Sequence, residues 1–311
     1  MNARALLLIV SCLGALGCSD NFDSPSLVID LRVLALQADP PEYVYPTDGN
    51  GVPKIEEGEI PALPASKLTM LVANPEGGKV SYVVKGCVLD SNLACDPTGP
   101  VVEFGKGESE PGELSVNILV GQELVEKSIE ADMAHGIFGF VVWIAGEVTS
   151  GDQSVPFVKS FLFSPDFGVP KVPNSNPEIS ELRTGEKDKE VPLSVGKDGF
   201  LAAKRDEAIR FLPVIPEEDR EDYTIRNFEL KPVDMTEEMT VSFFATCGTF
   251  GAEAKSEVLN VAFETEEDKE DKDLGVEWTA PSEDGPCTLW FVAADGRGGI
   301  GWRKLVVMVG P

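Results

Sequence analysis

From Leu31 onward the chain runs as short β-type segments cut off by proline and glycine, and that rhythm leaves few folds open. Leu31 to Leu36 is a strand halted by Asp39-Pro40-Pro41, because consecutive prolines cannot donate to a ladder. Val44 to Pro64, rich in proline, glycine and acid, is expected as a long loop. Leu68 to Val72 is a second strand, stopped by Asn74-Pro75-Glu76-Gly77-Gly78, and Val80 to Val84 a third, rich in β-branched residues. Glu113 to Leu119 is a further strand and Glu123 to Met133 a single helix. Phe138 to Ile144 and Phe157 to Phe163 form a hairpin around Gly151-Asp152.

A second series begins beyond Pro165, Pro170, Pro173 and Pro177, which with Asn174-Ser175-Asn176 predict an extended, semi-rigid linker over 165–177. Ile209 to Leu212, Thr240 to Ala245, Val276 to Trp278, Cys287 to Val292 and Trp302 to Val309 are its strands. Glu217 to Asp222 and Glu264 to Asp273 are charge runs, expected as solvated loops. The halves echo each other in order. Val80-Ser81-Tyr82 leads to Cys87 as Val241-Ser242-Phe243 leads to Cys247, and Phe140 to Gly146 is matched by Leu289 to Gly296.

The sequence holds 53 acidic residues against 26 lysines and arginines, a formal net charge of -27. Such a surface repels phosphate backbones, which argues against nucleic-acid binding, and repels anionic headgroups too. Any membrane attachment must therefore come from something other than a basic patch. Four cysteines, Cys87, Cys95, Cys247 and Cys287, lie in the body of the chain. An even number with no clustered histidine points to disulfides in an oxidising compartment. Pairing each cysteine within its own half predicts Cys87–Cys95 and Cys247–Cys287.

The opening residues carry a targeting signal. Arg4 precedes an apolar run from Ala5 that is too short for a bilayer core of ~20 residues, and Ala15-Leu16-Gly17-Cys18 closes it. An ordinary secretory signal fits these residues. With a cysteine at the cut, the segment resembles the bacterial lipoprotein signal, although Ala15 and Leu16 stand where that family prefers leucine and a small residue. The resemblance implies a signal peptide over 1–17, acyl chains (palmitate among them) on Cys18, and a tether over 18–26. Ser19 after the cysteine is compatible with sorting to the outer membrane, on its periplasmic face or at the cell surface.

Val276 to Gly285, followed by Trp290-Phe291-Val292-Ala293-Ala294-Asp295 and a glycine-rich turn, resembles the immunoglobulin-like or PKD-like modules of bacterial surface proteins. Leu31 to Ala35 with Asp39-Pro40-Pro41-Glu42 is similar to the opening of exported lipoproteins carrying such modules. Thr246-Cys247-Gly248 departs from the PKD turn. The resemblance implies an all-β protein of two tandem immunoglobulin-like β-sandwiches, over 27–164 and 178–311. It implies no particular activity.

The constellations that could carry chemistry are thin. Gly296-Arg297-Gly298-Gly299-Ile300-Gly301 matches the dinucleotide fingerprint, but that motif needs a helix after the turn, and Trp302 to Val309 is a strand. A β-hairpin is expected there instead. His135, the one histidine, has no nucleophile elbow to partner it and is expected on the surface. Asp268, Asp271 and Asp273 offer oxygens to calcium, but Lys269 and Lys272 interleave with them, which favours a solvated loop. Trp143, Trp278, Trp290 and Trp302 lie in strands, where period alone does not separate a core from a glycan- or protein-binding platform. The function expected is a lipid-anchored envelope protein, non-enzymatic and without metal or cofactor. It would act through protein or glycan contacts or as a structural spacer. An envelope enzyme and a soluble-ligand-binding lipoprotein stay open as alternatives.

Overall fold

The computed structural model describes residues 24–45, 65–90, 94–133, 138–166, 173–227, 229, 231–251 and 274–311. The first half contains β1 (Arg32–Asp39), β2 (Glu42–Tyr45), β3 (Ser66–Ala73), β4 (Val80–Cys87), β5 (Val101–Ser109), β6 (Gly112–Ile118), helix α1 (Gln122–Ala131), β7 (Phe140–Ser150) and β8 (Gln153–Pro165). The strands form two sheets, β1-β3-β6 and β2-β8-β7-β4-β5. The chain changes sheet at Asp39-Pro40-Pro41, so β1 ends in one sheet and β2 pairs in parallel with β8 in the other. Between the sheets lies a core that includes Leu68, Met70, Val84, Ile118, Val142, Ile144, Phe161 and Phe163, closed below by Leu124 and Val125 of α1. Of the helix's ten residues Leu124, Val125 and Ser128 are buried, and the half-buried Ile129 packs against the same core.

The second half repeats the scheme. It contains β9 (Glu181–Thr184), β10 (Val191–Pro192), β11 (Leu201–Lys204), β12 (Ala208–Val214), β13 (Asp222–Arg226), β14 (Pro232–Thr236), β15 (Thr240–Ala245), β16 (Thr249–Phe250), β17 (Val276–Thr279), β18 (Gly285–Ala294) and β19 (Ile300–Gly310). The sheets are β10-β9-β12-β17-β16 and β11-β19-β18-β15, with β13 and β14 paired as a separate hairpin. β11 runs parallel to β19 as β2 does to β8. In the strand orders, β1-β3-β6 corresponds to β9-β12-β17, and β2-β8-β7-β4 to β11-β19-β18-β15. Both halves are immunoglobulin-like sandwiches. The echoed segments fall on corresponding strands: Val80 opens β4 and Val241 is the second residue of β15, while Phe140 to Gly146 lies on β7 and Leu289 to Ala294 on β18.

The sandwiches lie side by side with sheet against sheet. Along β3 every residue from Leu68 to Ala73 is buried, and along β18 every residue from Leu289 to Ala293. A strand that alternates core and solvent cannot do this; these two are buried on both faces. Met70 and Val72 point into the first core and Phe291 and Ala293 into the second. Leu71 and Ala73 meet Trp290 and Val292 in a third cluster with Val28, Leu34 and Ala35, lined by Phe244, Ile300 and Trp302. The stretch expected as a linker ends inside this seam. Asn176 donates to the Ala38 carbonyl at 2.8 Å, and its own carbonyl oxygen accepts from the Ile300 N–H at 3.0 Å.

Candidate functional site: the junction around Arg297

The glycine-rich hexapeptide is the turn between β18 and β19, which pair from Ala294↔Ile300 to Gly285↔Val309. Gly296 and Gly298 take φ of 78° and 111°, where side chains are strained. Gly299 and Gly301 are required for another reason. A Cβ at either would overlap a neighbour, Asp295 in the first case and the Pro177 carbonyl in the second. The turn is thin because the polypeptide entering the second sandwich passes over it.

Asp295 organises the turn. Its Oδ1 accepts the N–H groups of Arg297, Gly298 and Gly299 at 2.7, 2.9 and 2.9 Å, and its Oδ2 accepts Asn174 Nδ2 at 2.9 Å. Burial pushes its carboxyl above the ordinary range against the pull of those donors. So held, the turn aims Arg297 into the junction. One guanidinium nitrogen reaches Glu42 Oε2 of the first sandwich at 2.8 Å; the other reaches Glu237 Oε1 at 2.8 Å and Glu221 Oε2 at 3.2 Å. Tyr223 of β13 lies with its ring centroid 4.3 Å from the guanidinium carbon. Glu42 also accepts the Asn174 N–H at 2.8 Å. Lys159 of β8 points inward and emerges at the edge of the first sandwich, where its ammonium donates to the Gly298 carbonyl at 2.6 Å. Burial lowers its pKa to about 8.

Glu42, Glu237 and Asp295 are each at most 2% exposed, as is the Asn174 amide between them, so these three carboxylates interact with Arg297 largely without solvent screening. Burial also raises the pKa of Glu237. Chemically the cluster is a clasp: Arg297 faces the carboxylates of Glu42, Glu221 and Glu237, and the Lys159 ammonium is held by a backbone carbonyl. Among the described residues no group of three or more His, Cys, Asp or Glu is arranged to hold a metal ion, and no helix is long and apolar enough to cross a membrane. A shallow, open depression of about 370 Å³ lies elsewhere, on the β4-β5-β7 surface, lined by residues such as Tyr82, Lys106 and Glu147.

The residues singled out in the sequence are distributed unevenly over this architecture. Cys87 is bonded to Cys95 and Cys247 to Cys287, each with Cα atoms 5.4 Å apart. Trp278 is fully buried in the second core and donates to the Cys247 carbonyl at 3.0 Å, which positions the Cys247-Gly248 turn. Trp290 and Trp302 belong to the seam, with Trp302 Nε1 donating to Glu113 at 2.9 Å; Trp143 is half-buried on β7. Cys18, His135 and Asp268, Asp271 and Asp273 lie outside the described residues. The run 217–222 is not simply a solvated loop. It forms a 3-10 turn at Glu217–Asp219, and then Glu221 is drawn onto Arg297. Glu42, Lys159, Asn174, Glu237 and Arg297 are not detectable as a group from sequence. Only Arg297 had a signal, as the charged residue inside a turn of glycines.

No family model matches the chain, and no curated protein matches it in sequence. Among solved structures, Escherichia coli alpha-2-macroglobulin activated by porcine elastase overlays 93% of this chain at 9% identity and a TM-score of 0.25. This chain spans 22% of that one. A chimeric titin Z1Z2 tandem covers 90% at 11% identity and a TM-score of 0.24, and the periplasmic chaperone SfaE 89% at 13% identity and 0.23, each over its full length. Overlaps of this size say nothing about what this chain binds or does.

Proposed function

We propose that this protein is a lipid-anchored component of the bacterial envelope, held at the outer membrane through Cys18. Its paired immunoglobulin-like sandwiches act by contact, as a binding or spacing module for a protein or glycan partner, and not by catalysis. The observation that carries this reading is the clasp. The most buried charged groups of the described residues are spent on fixing one sandwich to the other, as expected of a rigid presenting body. Two disulfides, one in each sandwich, support an oxidising location outside the cytoplasm.

The anchor is tested by metabolic labelling. The full chain should take up labelled palmitate and partition into detergent, and Cys18→Ala should do neither; equal partitioning of the two would defeat the reading. The contact role is tested by cross-linking the acylated protein on intact cells, where specific envelope adducts are expected. Hydrolytic turnover of envelope substrates by the purified protein would count against it.

A further inference from the structure

The chain ahead of β1 is fastened to the far sandwich. Ala245 N–H donates to the Ser26 carbonyl at 2.9 Å, and Val28 N–H donates to the Ala245 carbonyl at 2.8 Å. Leu27 thereby adds a parallel bridge at the β15 edge. Val28 is fully buried in the seam cluster. Just upstream, the Arg32 guanidinium holds the Pro25 carbonyl at 2.7 Å, and Leu27 N–H bonds the Ser24 carbonyl at 2.8 Å. Ser24 to Val28 therefore belongs to the first sandwich by sequence and to the second by hydrogen bonding.

Hydrogen bonds and strand registers show which turns share this end of the molecule. Leu31 N–H donates to Gln153, beside the Gly151-Asp152 turn, and Asn74 donates to Ser150. In the second sandwich Ala245 pairs with Leu289, so the Pro281–Gly285 turn leading into β18 lies at the same end. At the opposite end are Gln37 bonded to the Ile300 carbonyl, the Arg297 clasp, α1 with Met133, and Glu218 beyond the end of β12.

Resting on the proposed acylation of Cys18, we infer that a lipid surface is met by the Ser24 end of both sandwiches, which stand side by side with the clasp end outward. Cys18 and Ser24 are six residues apart, a reach of roughly 20 Å at most. Strands of 8 to 11 residues set the two ends about 30 Å apart. A net charge of -27 pushes the body off anionic headgroups, and a body repelled everywhere but held at one point turns its held end inward.

The test uses the acylated full chain in vesicles of phosphatidylethanolamine and phosphatidylglycerol with a headgroup quencher. One fluorophore is attached at a time through Asp152→Cys, Glu283→Cys, Met133→Cys or Glu218→Cys. Several-fold stronger quenching at 152 and 283 than at 133 and 218 is expected, weakening with salt. A long Gly–Ser insertion after Asp20 should flatten the difference. Equal quenching at all four sites, a split of 152 and 133 from 283 and 218, or a difference that survives the insertion would overturn the orientation while leaving the anchor intact. Acylation failing in the labelling experiment would instead remove the anchor, and the orientation with it.

Discussion

Arg297 illustrates how a buried ion group can be worth little in the making and much in the breaking. Burying a guanidinium among Glu42, Glu237 and Glu221 carries a desolvation cost that the pairing only offsets. Removing the guanidinium alone strands the carboxylates. Arg297→Met should therefore destabilise by about 3–5 kcal/mol in urea unfolding. Glu42→Gln, which keeps an acceptor oxygen, should cost less. Lys159 gives a pH signature. Its folded pKa of about 8 lies below the ordinary 10.5, so between those values the unfolded chain binds the extra proton and the folded one does not. This residue's contribution to stability should thus rise as pH climbs from about 8 towards 10.5. In Lys159→Met that rise should vanish when unfolding free energies of the two proteins are compared across this range.

The elements differ in how plainly the sequence announces them. β1, β3, β4, β6, β7, β8 and the β18-β19 hairpin are legible, because alternation, β-branching and breakers coincide there. β2, β9, β10, β13, β14 and β16 are not, being two to five residues long and held by neighbours. β5 is illegible for another reason: Gly105 and Gly107 interrupt its pattern, and they are small because Val116 and Tyr82 occupy the space a Cβ would need. The seam does leave a trace in the sequence. The apolar runs Met70 to Ala73 in β3 and Leu289 to Ala294 in β18 fit strands buried on both faces, whereas an isolated tandem sandwich needs polar residues at alternate positions. Of the clasp only Arg297, inside its turn of glycines, is marked in the sequence; its partners are not, since Glu42 and Arg297 are 255 residues apart and nothing local marks a carboxylate as buried. Among elements the disulfides offer the clearest contrast. Cys247–Cys287 spans 40 residues and Cys87–Cys95 spans 8. On the chain-entropy estimate, replacing the first pair by serines should cost about 4 kcal/mol and the second about 2.5. Equal losses in parallel denaturant titrations would mean strain or residual structure outweighs loop length.

Taken whole, the molecule is two sandwiches joined along a face, with apolar packing at its middle, the clasp at one end and the Leu27–Ala245 bridge at the other. Unfolding should follow from that as one transition. Trp290→Ala, expected to cost about 3–5 kcal/mol in a well-packed site, should split it into two, because it weakens the seam while leaving Phe291 and the second core in place. Scanning calorimetry distinguishes the cases; two transitions in the unaltered protein would show that the seam does not couple the sandwiches. The path of β19 has a practical corollary. Gly310 lies beside Arg205 and the Pro281–Gly285 turn, at the same end as Ser24, so under the proposed acylation of Cys18 a reporter or affinity handle fused after Pro311 would be crowded against the lipid surface. A handle inserted at the fully exposed Met133, beyond α1, would face the other way.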